Sequence, residues 1–126
     1  AASDERIIMT NFVQERVLEE LYSNAYVFVL PSDVEGMALT LLEAMSYGDC
    51  CLVSDIPENI EVVENQAVTF RKGSVEDLKK KLVFLLENPE ITADYGRKSV
   101  DFICNKYSWE EMVRQTRMLY ENTDCK

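Results

Sequence analysis

The stretch PSDVEGMALTLLEAMSYG, Pro31 to Gly48, decides how this chain folds. The apolar run Tyr26-Val27-Phe28-Val29-Leu30 leads into it and has the length and composition of a buried strand. Pro31-Ser32-Asp33 stops that strand and turns the chain. From Met37 to Tyr47 the polar side-chain atoms are confined to Thr40, Glu43, Ser46 and Tyr47. A helix that apolar on most faces is expected to be buried. Gly48 stands where a C-terminal cap belongs. The pattern is strand, loop, buried helix. In an open α/β sheet, ligands sit beyond the carboxyl ends of the strands, and the loop Ser32 to Gly36 lies at such an end.

Two carboxylates mark this stretch, Glu35 at the loop–helix junction and Glu43 eight residues on. If both were helical they would be about 12 Å apart along the axis. The carboxylate pairs of glycoside hydrolysis sit roughly 5 to 9.5 Å apart, so the spacing better suits gripping two parts of an extended ligand. Between them lies a helix N-terminus, whose free N–H groups and positive dipole end favour an anion. Gly36 would let a ligand come close to the backbone. A nucleotide-sugar, with hydroxyls at both ends and phosphates between, fits this arrangement. Bland readings stand beside it. Ser32-x-x-Glu35 also matches a capping box, and local sequence does not separate the two. Glu43, in an apolar helix, needs a partner, which could be a structural Arg or Lys.

Pro31-Ser32, Glu35-Gly36, Glu43-Ala44-Met45 and Gly48 together resemble the signature of the family 4 retaining glycosyltransferases, the glycosyl transferases group 1, of the GT-B fold. The family's E-x7-E motif matches Glu35 and Glu43, and the similarity runs from about Ile7 to Asn122. The resemblance implies an α/β fold, a Rossmann-like parallel sheet of about four strands with flanking helices. It implies that residues 1–126 are a single, partial nucleotide-sugar-binding domain, the second half of a GT-B C-terminal domain. By similarity, Glu35 would hydrogen-bond hydroxyls of the donor sugar and be the catalytic candidate. Glu43 would hold the ribose hydroxyls. Backbone N–H groups of Gly36, Met37 and Ala38 would face sugar and phosphates, with Leu39 and Thr40 continuing that turn. The donor would be a nucleotide-diphosphate-sugar, transferred with retention and without a bound metal or other cofactor. Cys50-Cys51 stands where the family has Pro, and Ile56-Pro57-Glu58-Asn59 replaces its glycine-rich loop.

Outward from this centre, strands and helices alternate, as a parallel α/β layer requires. Ile7-Ile8-Met9 is a strand candidate, and Gln14 to Asn24 a helix with Val17, Leu18 and Leu21 on one face. Cys50 to Ser54 and Ala67 to Phe70 are strands, separated by a loop and short helix at Pro57 to Val63. Ser74-Val75-Glu76-Asp77 opens a helix reaching Asn88-Pro89, and Ile91 to about Lys106 is another. Ser108-x-x-Glu111 is a capping box opening a last helix, with Trp109 a core or docking anchor beside Met112, Val113, Thr116 and Tyr120.

In the family the strand at Ile7 would be the third and Tyr26 to Leu30 the fourth, without the two that normally separate them. An edge left open invites pairing. Either the Ile7 strand moves beside Tyr26 to Leu30, or the chain forms a homodimer through that edge.

The chain has 126 residues, 47% of them hydrophobic, and a net charge of −10. That charge argues against nucleic acid and anionic membranes as partners. It also opposes an anionic donor, and Pro31 to Asp55 contains no Lys or Arg. The resemblance implies that the cations facing the diphosphate lie upstream, outside this chain. No membrane span and no signal peptide are expected, and the four cysteines show no metal or redox spacing. These features read as a reduced, cytoplasmic protein. The chain begins with Ala1 rather than Met, which reads as a piece of a longer protein, and the resemblance implies that an N-terminal, acceptor-binding domain lies outside it. The reading from another class is a non-catalytic α/β binding or interaction domain on the same scaffold. Receiver-like phosphotransfer would need an acidic cluster plus a Lys, which Asp33 and Asp55 alone do not make.

Overall fold

The computed structural model describes residues 4–121. The elements run α1 (Glu15–Ser23), β1 (Phe28–Leu30), α2 (Leu39–Tyr47), β2 (Cys51–Ser54), α3 (Pro57–Val63), β3 (Val68–Phe70), α4 (Val75–Glu87), α5 (Pro89–Lys106) and α6 (Trp109–Glu121). The strands form one parallel sheet of order β1-β2-β3. The fold is α/β, with helices on both faces of a parallel sheet.

β2 is the centre of the core, and its side chains alternate between the faces. Cys51 and Val53 pack with Leu41, Ala44 and Met45 of α2, Val62 and Val63 of α3 and Ile103 of α5. Cys50 and Leu52 pack with Val68, Phe70 and Leu85 of α4. Burial on both faces is why this strand reads as a continuous apolar run rather than an alternating one. The caps follow local chemistry. Gly48 takes φ +84° and its N–H returns to the carbonyls of Ala44 and Met45. Ser74 Oγ accepts the Asp77 N–H at 3.2 Å. The Lys106 ammonium donates to the carbonyls of Glu61 and Val62 and pairs with Glu64, closing the end of α3.

Several expectations are corrected. The sheet has three strands rather than about four, because the strand expected at Ile7-Ile8-Met9 does not form. Ile7, Ile8 and Met9 are exposed coil, Ile8 and Met9 by 79% and 78%, and they neither pair with β1 nor rearrange the sheet. Three apolar residues make a strand only if a ladder partner accepts them, and here a turn ties Ile7 N–H to the Asp4 carbonyl instead. The β1 edge is therefore open among the described residues, and its residues are only half-buried. A groove of about 480 Å³ runs along it, lined by Leu18, Leu21, Val27 and Val29 among others. This is the edge at which the sequence predicts pairing with a second copy.

The helix α2 begins at Leu39 rather than Met37, and it is buried on one side only. Leu41, Ala44 and Met45 are inside, whereas Leu39, Thr40, Glu43 and Tyr47 are exposed. α5 begins at Pro89 rather than Ile91, because a proline at the first helical position gives up no needed N–H. At Ser108 half of the capping box forms. The hydroxyl accepts the Glu111 N–H at 3.2 Å, but the Glu111 carboxylate turns to Arg114 and Gln115. The Trp109 side chain lies outside the described residues, and Met112 and Val113 are exposed rather than docked.

Candidate functional site

The carboxyl ends of the strands meet around the loop from Pro31 to Ala38. Proline ends β1 because it has no N–H to continue the ladder. The loop is then held from its neighbours. Ser54 Oγ, at the end of β2, donates to the Ser32 carbonyl at 2.6 Å. Asn59 of α3 donates through Nδ2 to the carbonyl and hydroxyl oxygens of Ser54, at 3.2 and 3.1 Å. Both residues are buried, so their polar atoms need such partners. Asn59 Oδ1 is buried and has none among the described residues. From the end of β3, the Lys72 ammonium donates to the Asp33 carbonyl at 2.6 Å.

Within the loop, Ser32 Oγ donates to the Glu35 carboxylate. The capping box, one of the two readings open for Ser32-x-x-Glu35, does not form, since Ala38 is the N-cap and no helix starts near Ser32. The 12 Å axial spacing reckoned for two helical glutamates does not apply either, because Glu35 lies in the loop. Glu35, Gly36, Met37, Ala38, Leu39 and Thr40 are brought together at the amino end of α2, which has no side-chain cap. Met37 and Leu39 are exposed and Ala38 is buried. Gly36 does not take a positive φ, and a Cβ built there meets nothing within 4 Å. The fold itself does not require glycine at that position.

Glu43 stands apart, one turn further along α2 on the side facing α1. It accepts the Tyr22 hydroxyl at 3.1 Å and lines a groove with Glu15, Glu19 and Tyr47. Its partner is thus a tyrosine, not the Arg or Lys that an apolar helix suggests. Burial first, then the neighbouring Glu43, pushes the Tyr22 hydroxyl up to about 12, so it remains a donor. Sequence reasoning missed Tyr22, Ser54, Asn59 and Lys72. Their only signal is polar chemistry at element ends, and their partners lie 18 or more residues away or, for Asn59, in the preceding strand. Among the described residues, no group of three or more His, Cys, Asp or Glu side chains is placed to hold a metal ion.

A carboxyl that burial perturbs strongly lies at the other end of β2. Asp49 is 4% exposed, its Oδ2 has no partner among the described residues, and burial pushes it up to about 6 from 3.8. A raised folded-state value means its contribution to stability is full below pH 3.8 and is lost as pH rises through about 6. Asp49→Asn, neutral throughout, is expected to gain on the parent across that window by on the order of 1 kcal/mol. Urea midpoints at pH 4.5 and 7.5 read the gain. A constant difference between the two proteins at both pH values would contradict it.

The sequence matches the glycosyl transferases group 1 over residues 3–109. It is 31% identical over 117 residues to a sulfoquinovosyl transferase of Arabidopsis thaliana, covering 87% of this chain and 22% of that protein. It is 29% identical over 113 residues to the O-antigen chain mannosyltransferase B of Escherichia coli, covering 87% of this chain and 29% of that protein. Among solved structures it resembles a sucrose-phosphate synthase of Thermosynechococcus elongatus, with a TM-score of 0.69 at 23% identity over 81% of this chain and 26% of that one. The chain thus spans about a quarter of the length of such relatives.

Proposed function

The chain belongs to the glycosyl transferases group 1 family, and from that premise we propose that it carries the nucleotide-sugar donor side of a retaining glycosyltransferase. The observation that carries this reading is Gly36. It is a glycine that neither backbone angle nor packing demands, placed at the carboxyl end of the sheet before an uncapped helix N-terminus. Close approach of a ligand is the remaining reason for it. Glu35 would take the donor sugar's hydroxyls as the catalytic candidate. The N–H groups of Gly36, Met37 and Ala38, continued by Leu39 and Thr40, would face sugar and phosphates. Glu43 would take the ribose. Transfer would need no metal or other cofactor and would run in the cytoplasm. The acceptor would sit on a further, N-terminal domain of a longer protein. By itself this chain binds donor weakly and transfers no sugar.

A second reading, a non-catalytic α/β binding domain, is favoured by the net charge of −10 and by Glu15 and Glu19 beside Glu43. Titration with uridine, guanosine and adenosine diphosphate-sugars, read by amide NMR, separates the two. One donor is expected to move the amides of residues 36–40 with a Kd of roughly 1 mM. Gly36→Ala should keep the parent's melting midpoint and lose the response. Silence from every donor would favour the binding-domain reading, and sugar transfer by the isolated chain would refute the division of the site.

A further inference from the structure

We propose that Lys72 is a positioning residue that clamps the Glu35 loop from the far side of the sheet. This rests on the reading of that loop as the donor-sugar site. The loop from Pro31 to Ala38 follows β1, whereas Lys72 follows β3, with β2 between them. That is two strand spacings, roughly 9.5 Å, which backbone alone does not cross. The lysine stem crosses it, and the ammonium meets the Asp33 carbonyl at 2.6 Å, 39 residues away in sequence.

The base of this arm is fixed independently. The Lys72 N–H donates to Asp55 Oδ1 at 2.7 Å, and the Asp55 N–H donates to the Phe70 carbonyl at 2.9 Å. The neighbouring Arg71 N–H donates to Asp77 Oδ2 at 2.7 Å, and Ser74 N–H returns to the Arg71 carbonyl at 3.0 Å. Gly73, at φ +71°, makes the turn that allows both. The elbow from Arg71 to Ser74 is therefore tied to the end of β2 and to the first turn of α4. A side chain projecting from so constrained an elbow sets the place of what it binds. What it binds is the carbonyl two residues before Glu35, on a loop whose other anchor across the sheet is the Ser54–Ser32 bond.

A charge-assisted bond of this kind is stronger than a neutral one, and an ammonium makes it without the planar geometry of a guanidinium. Lys72 is exposed, so its removal leaves the core alone. The consequence is local: the Glu35 loop loosens while the fold stays.

Amide relaxation on the ligand-free chain tests this, using Lys72→Met to keep the stem and remove the donor, and Lys72→Arg to restore it. In the parent, order parameters at residues 33–36 are expected near those of rigid backbone, about 0.85, falling below about 0.6 in Lys72→Met and recovering in Lys72→Arg. The urea midpoint should not move. Unchanged order parameters in Lys72→Met would overturn the clamp. The donor titration is the second arm. If the parent binds, Lys72→Met should weaken binding about tenfold and Lys72→Arg should recover most of it. Weaker binding with an unchanged loop would mean direct contact with the donor and would also overturn the positioning role. If the parent binds no donor, the functional reading fails, and the order parameters still decide the clamp.

Discussion

Gly96→Ala is expected to destabilise the fold more than alanine at any other glycine of this chain. Gly96 lies on the buried side of α5 where that helix crosses the end of α2. A Cβ there would stand 2.3 Å from the Gly48 carbonyl oxygen and 3.4 Å from its carbonyl carbon. Both are backbone atoms, so no rotamer relieves the clash. Nor is Gly48 free to yield. Its positive φ closes α2, its own N–H is bonded back to α2, and Asp49 N–H bonds the Ala44 carbonyl at 3.1 Å. Ser99, one turn along α5, ties the helices together by donating to the Met45 carbonyl at 3.2 Å. The helices must therefore separate, which opens the layer holding Met45, Ile103 and Cys51. Overpacking of well-filled cores costs about 1–3 kcal/mol, and a backbone clash belongs at the top of that range or above it. Against a total stability of about 5–15 kcal/mol this is a large fraction. Urea denaturation read by circular dichroism measures it. A midpoint equal to the parent's would show that α5 slides freely on α2.

The second large effect concerns the glutamates in the roles proposed above, and it would be read in a longer glycosyltransferase carrying this chain. Glu35→Ala should lower kcat about 10²-fold with little change in nucleotide affinity, because contacts to the reacting sugar strengthen in the transition state. Glu43→Ala should weaken nucleotide binding about tenfold and leave kcat nearly intact, because ribose contacts are equal in ground and transition states. The structure supplies the controls. Ser32→Ala frees Glu35 from its hydroxyl partner without removing the carboxylate. Tyr22→Phe does the same for Glu43. If Tyr22→Phe matched Glu43→Ala, the glutamate would act by holding α1 to α2 rather than by holding ribose. Equal effects of the two glutamate changes on nucleotide affinity would refute the division of labour.

The alternation of elements, the Gly48 and Ser74 caps and the break at Pro31 were all legible, because each depends on residues within a few positions of one another. The Glu35–Gly36 motif was legible for the same reason: it is contiguous. Ile7-Ile8-Met9 was misread because strand formation depends on a partner, and the side-chain pattern is the same with or without one. The expectation that α2 is buried on most faces failed because apolar composition does not say which face of a helix a neighbour covers.

The sequence by itself determined the α/β class, the order of the elements and the loop that bears the candidate chemistry, since periodicity and turn chemistry are local properties. Tertiary structure alone decided three things. It put the Lys72 cation beside a stretch that contains none, laid Gly96 against Gly48, and sealed Asp49 away from water. Each joins segments separated by more than 35 residues or fixes burial, and closing such distances depends on how whole elements pack, which no short window of sequence records.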